Sequence, residues 1–181
     1  MRVMIVDDSQ TIRKLLTTTI NKKLPIVDEI FECNSGEVAL RKLEDISVDL
    51  ILLDVLMPGI NGFETCEAIK NNPKTKDINV IFLTSKGKTK DILKGFEAGG
   101  IDYISKPFNE PVLIARIKIQ LEHQKLKNKE LEDTQSEVIF KMAEIAESRS
   151  KETGNHVKRV ARYCYILAKL SDFEEEDCKN F

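Results

Sequence analysis

Short apolar runs alternate with longer amphipathic stretches through the first 120 residues. The runs are 3–6, 27–31 (broken by Asp28 and Glu29), 50–53, 80–83 and 101–104. Helical spacing of apolar positions falls between and after them, near 10–21, 36–44, 62–71, 88–97 and 110–121. Five strand-helix units in this order predict an α/β fold with a parallel sheet covered on both faces. Leu50-Ile51-Leu52-Leu53 is apolar at every position, as a strand buried on both sides requires. The second run carries two acids, which predicts an edge strand. Punctuation agrees with these boundaries. Pro25 follows the first helix, and Met57-Pro58-Gly59 with Asn61-Gly62 makes a long turn after the third strand. Asn71-Asn72-Pro73 ends the third helix, and Gly99-Gly100 ends the fourth.

The texture changes near residue 110. Neither Gly nor Pro occurs from Val112 to Thr153. Steps of three and four residues from Ile114 reach Ile117, Leu121, Gln124, Asn128, Leu131, Gln135, Val138, Met142 and Ile145. This spacing predicts a long helix with a coiled-coil seam whose middle is polar. Two readings fit it: a linker helix that pairs with a second copy, or a solvated helix that pairs with nothing. After Gly154-Asn155 a further amphipathic helix is predicted, with Val157, Val160, Ala161, Cys164, Ile166, Leu167, Ala168 and Leu170 on its apolar side. The run Glu174-Glu175-Glu176-Asp177 suits the first turn of another helix.

Composition narrows the classes. Twenty-eight basic and 30 acidic residues give a formal charge of −2, without the basic excess of a general nucleic-acid surface. The opening apolar run ends at Asp7-Asp8, too short for a secretion signal or a membrane span. Cys33, Cys66, Cys164 and Cys178 form no CxxC pair, so reduced thiols and a cytoplasmic location are expected. Cys33 and Cys164 lie in apolar-rich stretches and read as core filler.

The chemistry-bearing side chains stand directly after apolar runs: Asp7 and Asp8 after the first, Asp54 after the third, Thr84 after the fourth, Lys106 after the fifth. Strand carboxyl ends of an open α/β sheet face one crevice. Carboxylates gathered there raise one another's pKa unless a hard divalent cation compensates them, and Mg2+ takes such oxygen ligands. Lys106 adds a fixed positive charge, Thr84 a hydroxyl donor, and an Asp carboxylate is a competent nucleophile toward phosphorus. Each residue also has a plainer reading. Asp8 or Ser9 suits a helix cap, Asp54 a turn, Lys106-Pro107 a turn, and Thr84 and Tyr103 ordinary strand positions. Asp54 between Leu53 and Val55 would be a costly place for an uncompensated charge.

The ordered set Asp7-Asp8, Asp54 with Met57-Pro58-Gly59, Thr84-Ser85 and Tyr103-Ile104-Ser105-Lys106-Pro107-Phe108 resembles the receiver domain of two-component response regulators over residues 1–121. The resemblance implies a flavodoxin-like, doubly wound (βα)5 sheet of order 2-1-3-4-5, with a long C-terminal helix and a helical extension. It implies Asp54 as phosphoacceptor, with Mg2+ held by Asp7, Asp8, Asp54 and the backbone carbonyl of Leu56. It further implies Thr84 and Lys106 as phosphoryl ligands, Tyr103 and Thr84 as switch residues, a cis Lys106–Pro107 bond and a cognate histidine kinase. Ile101 departs from the acid common at its position in the family.

Residues 147–160 resemble the opening of an HD-GYP domain, a metal-dependent cyclic di-GMP phosphodiesterase, with Glu152 and His156 on its E-T-G-x-H element. Ser150 departs from the acid common there. The only other histidine is His123, and neither a following His-Asp dyad nor a Gly-Tyr-Pro element occurs. A hydrolytic metal centre needs more ligands than these, so no enzyme activity beyond receiver self-phosphotransfer and self-dephosphorylation is expected of this chain. An intact parent would be a phosphodiesterase. His156 reads equally as a polar residue in a first helical turn. The expected division is 1–121 receiver, 122–150 helical linker with a possible homodimer seam, and 151–181 an incomplete HD-GYP-like part. The alternative is a DNA-binding or single-domain regulator with a dimerising helical tail. Against DNA binding stand the acidic balance of residues 121–181 and the lack of a basic recognition helix. Against a stand-alone aspartyl phosphatase stands Val55-Leu56 where an Asp-x-Asp pair would be needed. Neither nucleic acid nor membrane is an expected partner.

Overall fold

The computed structural model describes residues 1–85, 89–148 and 162, with backbone only for 89–92 and 143–148. Elements follow in the order β1 (Arg2–Val6), α1 (Gln10–Lys23), β2 (Glu29–Cys33), α2 (Gly36–Asp45), β3 (Leu50–Asp54), α3 (Gly62–Asn71), β4 (Asn79–Thr84), α4 (Thr89–Glu97), β5 (Asp102–Ser105) and α5 (Glu110–Ser148). The five strands form one parallel sheet of order β2-β1-β3-β4-β5, the flavodoxin-like arrangement. The chain divides into two compact units, Met1–Lys127 and Asn128–Phe181. The sheet lies in the first.

Strand alternation separates two cores. Met4 and Val6 of β1, Ile51 and Leu53 of β3, and Val80 and Phe82 of β4 pack with Ala39, Leu43, Cys66 and Ile69 of α2 and α3. Val3, Ile5, Leu50, Leu52, Ile81 and Leu83 pack with Leu16 and Ile20 of α1 and Leu113, Ile117 and Leu121 of α5. Each fully buried Leu or Ile contributes about 1.5–3 kcal/mol of transfer free energy. β3 is buried at all five positions, which explains its unbroken apolar sequence. Cys33 and Cys66 are buried free thiols; Cys164 and Cys178 lie outside the described residues.

Two expectations are corrected. The second strand is Glu29–Cys33, two residues later than the apolar run at 27–31. Pairing decides this: Arg2 to Val6 match Glu29 to Cys33 residue by residue. Val27 is spent on a turn, its N–H donating to the Leu24 carbonyl at 3.0 Å. Glu32 is tolerated within the strand because it accepts from Thr17 Oγ1 at 2.8 Å and from Arg13 Nε at 3.3 Å. The second correction concerns the seam. Ile117 and Leu121 are buried in the domain core and Ile114 packs against it. Among the described apolar seam positions, Leu131, Val138 and Met142 remain exposed. The predicted helix after residue 155 (apart from residue 162), the acidic run at 174–177, and Glu152 and His156 lie outside the described residues. No helix among the described residues is long and apolar enough to cross a membrane.

Candidate phosphoacceptor and cation site

The functional groups converge because β1, β3 and β4 end on the same side of the sheet, each one residue beyond its neighbour. Asp54 is the last residue of β3, opposite Leu83 of β4, and Thr84 ends β4 opposite Ser105 of β5. Asp7 follows β1 directly, and its N–H donates to the Cys33 carbonyl at 3.2 Å. Ser9 then caps α1, accepting from the Ile12 N–H, while its own N–H donates to Asp7 Oδ1 at 2.9 Å. Ser9 therefore takes the capping role open to it or Asp8. Lys106 leaves β5, its N–H donating to the Thr84 carbonyl at 2.7 Å, and the Lys106–Pro107 bond is cis.

One carboxylate oxygen from each of Asp7, Asp8 and Asp54 lies within 4.8 Å of the others. Asp7 is 0% and Asp54 4% exposed, whereas Asp8 is open to solvent. Lys106 Nζ bridges the buried pair, 2.6 Å from Asp7 Oδ2 and 2.9 Å from Asp54 Oδ2. Burial pushes the Asp54 carboxyl above its ordinary value; the Lys106 hydrogen bond and charge oppose this, and the Asp7 charge adds to it. Three carboxylates against one ammonium leave two negative charges uncompensated, the charge of one divalent cation. An all-oxygen donor set of this kind fits Mg2+.

The β3–α3 loop is fixed beside this site. The Gly62 N–H donates to the Val55 carbonyl at 3.0 Å, and a Cβ at position 62 would stand 2.2 Å from the Asp54 carbonyl oxygen. Only glycine permits that approach. Asn61 caps α3 and forms a reciprocal box with Glu64. Glu37 at the start of α2 accepts from the Ile60 N–H at 3.0 Å, and this bond holds the Glu37 carboxyl below the usual range. Leu56, the expected carbonyl donor, sits two residues past Asp54, and its N–H donates to Asp54 Oδ1 at 3.4 Å.

Beside Thr84 lies a cleft lined by Val55, Phe63, Phe82, Phe96 and Tyr103. The Tyr103 ring meets Phe96 edge-on at 6.4 Å and the Arg116 guanidinium at 5.9 Å. Arg116 Nη1 in turn donates to both Asp102 oxygens, at 2.5 and 2.6 Å. The structure thus brings Asp7, Asp8, Asp54 and Lys106 into one pocket and sets Thr84 and Tyr103 on its flank. The sequence reading missed Glu37, Gly62, Arg13 and Arg116. The available signal was a glycine directly after a capping Asn, and acids in strand and helix-start positions that need partners.

Comparison with known proteins agrees with this geometry. Residues 3–118 match the family model described as the response regulator receiver domain. A Vibrio cholerae serotype O1 protein named "Probable cyclic di-GMP phosphodiesterase" is 36% identical over 184 residues, covering 92% of this chain and 41% of its own length. The Bacillus subtilis protein named "Transcriptional regulatory protein ResD" is 38% identical over 120 residues, covering 66% of this chain and 48% of its own. The chain spans about half the length of the curated relatives it matches. Among solved structures, the chemotaxis response regulator CheY4 of Vibrio cholerae aligns with a TM-score of 0.61 at 28% identity, covering 66% of this chain and 97% of that chain. The BeF3-activated receiver domain of DrrB, from Thermotoga maritima, aligns with a TM-score of 0.59 at 33% identity, covering 67% and 97%. Because the matched stretch takes in all five strands and every group gathered in the crevice, the chain belongs to the response regulator receiver domain family.

Proposed function

We propose that the chain is the input half of a phosphorelay regulator in which Asp54 accepts a phosphoryl group from the phosphohistidine of a cognate histidine kinase. The carrying observation is the Lys106 ammonium bridging Asp7 and Asp54 in a buried, excess-negative pocket. Asp7, Asp8, Asp54 and the Leu56 carbonyl would hold Mg2+, which when bound offsets charge on the transferring phosphoryl oxygens. An Asp54 oxygen attacks phosphorus; the new O–P bond forms as the N–P bond to the kinase histidine breaks, and the electron pair returns to the imidazole. Lys106 exchanges a carboxylate oxygen for a phosphoryl oxygen, and the Thr84 hydroxyl donates to another. Thr84 moving toward the phosphoryl group makes room for the Tyr103 ring in the adjoining cleft, which biases the surface of α4, β5 and α5.

The output reading is a cyclic di-GMP phosphodiesterase fed through α5. Supporting it, the Vibrio cholerae relative aligns over 92% of the chain, whereas the transcriptional regulators align over 65–74%. Glu152 and His156 would be two metal ligands of that output, and further ligands would be needed for turnover. Leu131, Val138 and Met142 offer a face for pairing α5 with a second copy. The test is incubation with acetyl phosphate and Mg2+, followed by borohydride trapping and mass spectrometry. The expected result is conversion of residue 54 to homoserine, the product of hydride reduction of the acyl phosphate with phosphate as leaving group, absent in EDTA and in Asp54→Asn. An unmodified Asp54 would overturn the reading. Light scattering with and without beryllofluoride should show a larger dimer fraction in its presence. An unchanged fraction would remove pairing from the relay.

A further inference from the structure

The guanidinium of Arg13 is the contact the phosphotransfer reading leaves unused. Arg13 stands one turn into α1 with a side chain only 13% exposed. Its Nη1 donates to two consecutive backbone carbonyls, Asp7 at 2.7 Å and Asp8 at 3.2 Å. Its Nε donates to Glu32 Oε2 at 3.3 Å, and Glu32 Oε1 accepts from Thr17 Oγ1, one turn further along α1, at 2.8 Å. Glu32 is an acid inside β2, opposite Ile5 of β1. Glu32 therefore orients a cation on the preceding helix, α1.

We infer that Arg13, aimed by Glu32 and Thr17, is a positioning residue that fixes the Asp7–Asp8 backbone so that two carboxylates project toward the cation site. The inference rests on the reading of Asp7, Asp8 and Asp54 as that site. Carbonyls held on one guanidinium cannot rotate independently, and their rotation would swing both attached side chains. Mg2+ demands near-octahedral oxygens at short distance and tolerates such swings poorly. Groups that orient metal ligands typically govern affinity by about 10–100-fold.

Electrostatics alone predicts the opposite sign, which makes the inference testable. A guanidinium near a dication repels it, so removing the charge should tighten binding. Loss of positioning should weaken it. Mn2+ binding to the full chain, read by electron paramagnetic resonance, and Mg2+ binding, read by calorimetry, are measured for wild type, Arg13→Met, Arg13→Lys, Glu32→Ala and the double variant Arg13→Met/Glu32→Ala. Positioning predicts about tenfold or weaker binding for Arg13→Met, and a partial loss for Arg13→Lys, which keeps the charge without the fork. It also predicts that Glu32→Ala adds nothing once Arg13 is Met, because Glu32 acts through Arg13. Unchanged or tighter binding by folded Arg13→Met overturns the inference, as does an additive double variant. Should Arg13→Met fail to fold, full wild-type affinity in both Arg13→Lys and Glu32→Ala overturns it. A wild-type chain that binds neither ion overturns the cation-site reading instead.

Discussion

Replacing Lys106 with methionine tests the charge balance of the site directly. Its ammonium lies 2.6 and 2.9 Å from two carboxylates that are almost wholly buried. At an effective dielectric near 20, each contact carries about 6 kcal/mol of gross Coulomb attraction, most of it offset by desolvation. Removing one partner of a buried ion pair costs about 3–5 kcal/mol. Proton uptake by a carboxyl limits the loss here, so about 3 kcal/mol is expected. For a domain of this size that lowers Tm by about 10 °C. A dication supplies the missing charge, and without a competing ammonium it binds more tightly. A tenfold lower Kd returns about 1.4 kcal/mol at saturating metal. The chain has no tryptophan, so melting is followed by circular dichroism, in EDTA and in millimolar MgCl2. Lys106→Met should melt well below wild type in EDTA and regain part of the gap in Mg2+. Equal melting in EDTA, or equal Mg2+ shifts for both proteins, would refute the account of Lys106 as the site's resident counter-charge.

Two further substitutions probe the strand end and its loop. Gly62→Ala would set a Cβ 2.2 Å from the Asp54 carbonyl oxygen and 2.8 Å from Val55 Cα, both backbone atoms that cannot rotate away. A cost of about 1–3 kcal/mol in urea unfolding is expected, along with weaker Mn2+ binding; an unchanged midpoint would show that the loop relaxes freely. Asp54→Asn should stabilise the metal-free protein. Burial raises the Asp54 pKa above 3.8, so the wild type holds its full stability below that value and loses part as pH rises through the raised one. The gain, on the order of 1 kcal/mol at pH 7, should fade as pH falls toward the ordinary carboxylate range, and a gain independent of pH in EDTA would contradict the burial argument.

The number of strands and their places along the chain were legible because burial on both faces leaves a local mark: runs such as 50–53 have no polar face, whereas the sheet order came only from the family resemblance. The positions of Asp7, Asp54, Thr84 and Lys106 were legible for a related reason. A parallel sheet presents all its carboxyl ends to one crevice, so adjacency to an apolar run predicts convergence. The limits of β2 were not legible, because an edge strand is defined by its partner's register, and the pairing of Arg2 with Glu29 exists only once the sheet has formed. The seam spacing likewise carried no sign that Ile117 and Leu121 are claimed by the sheet, since helical periodicity specifies a face without naming what covers it. Sequence alone determined which groups meet. Tertiary structure decided how they are held: Lys106 between two acids, Glu37 on the loop, Arg13 on two carbonyls. Those contacts join residues far apart in the chain, and no local pattern encodes a distance.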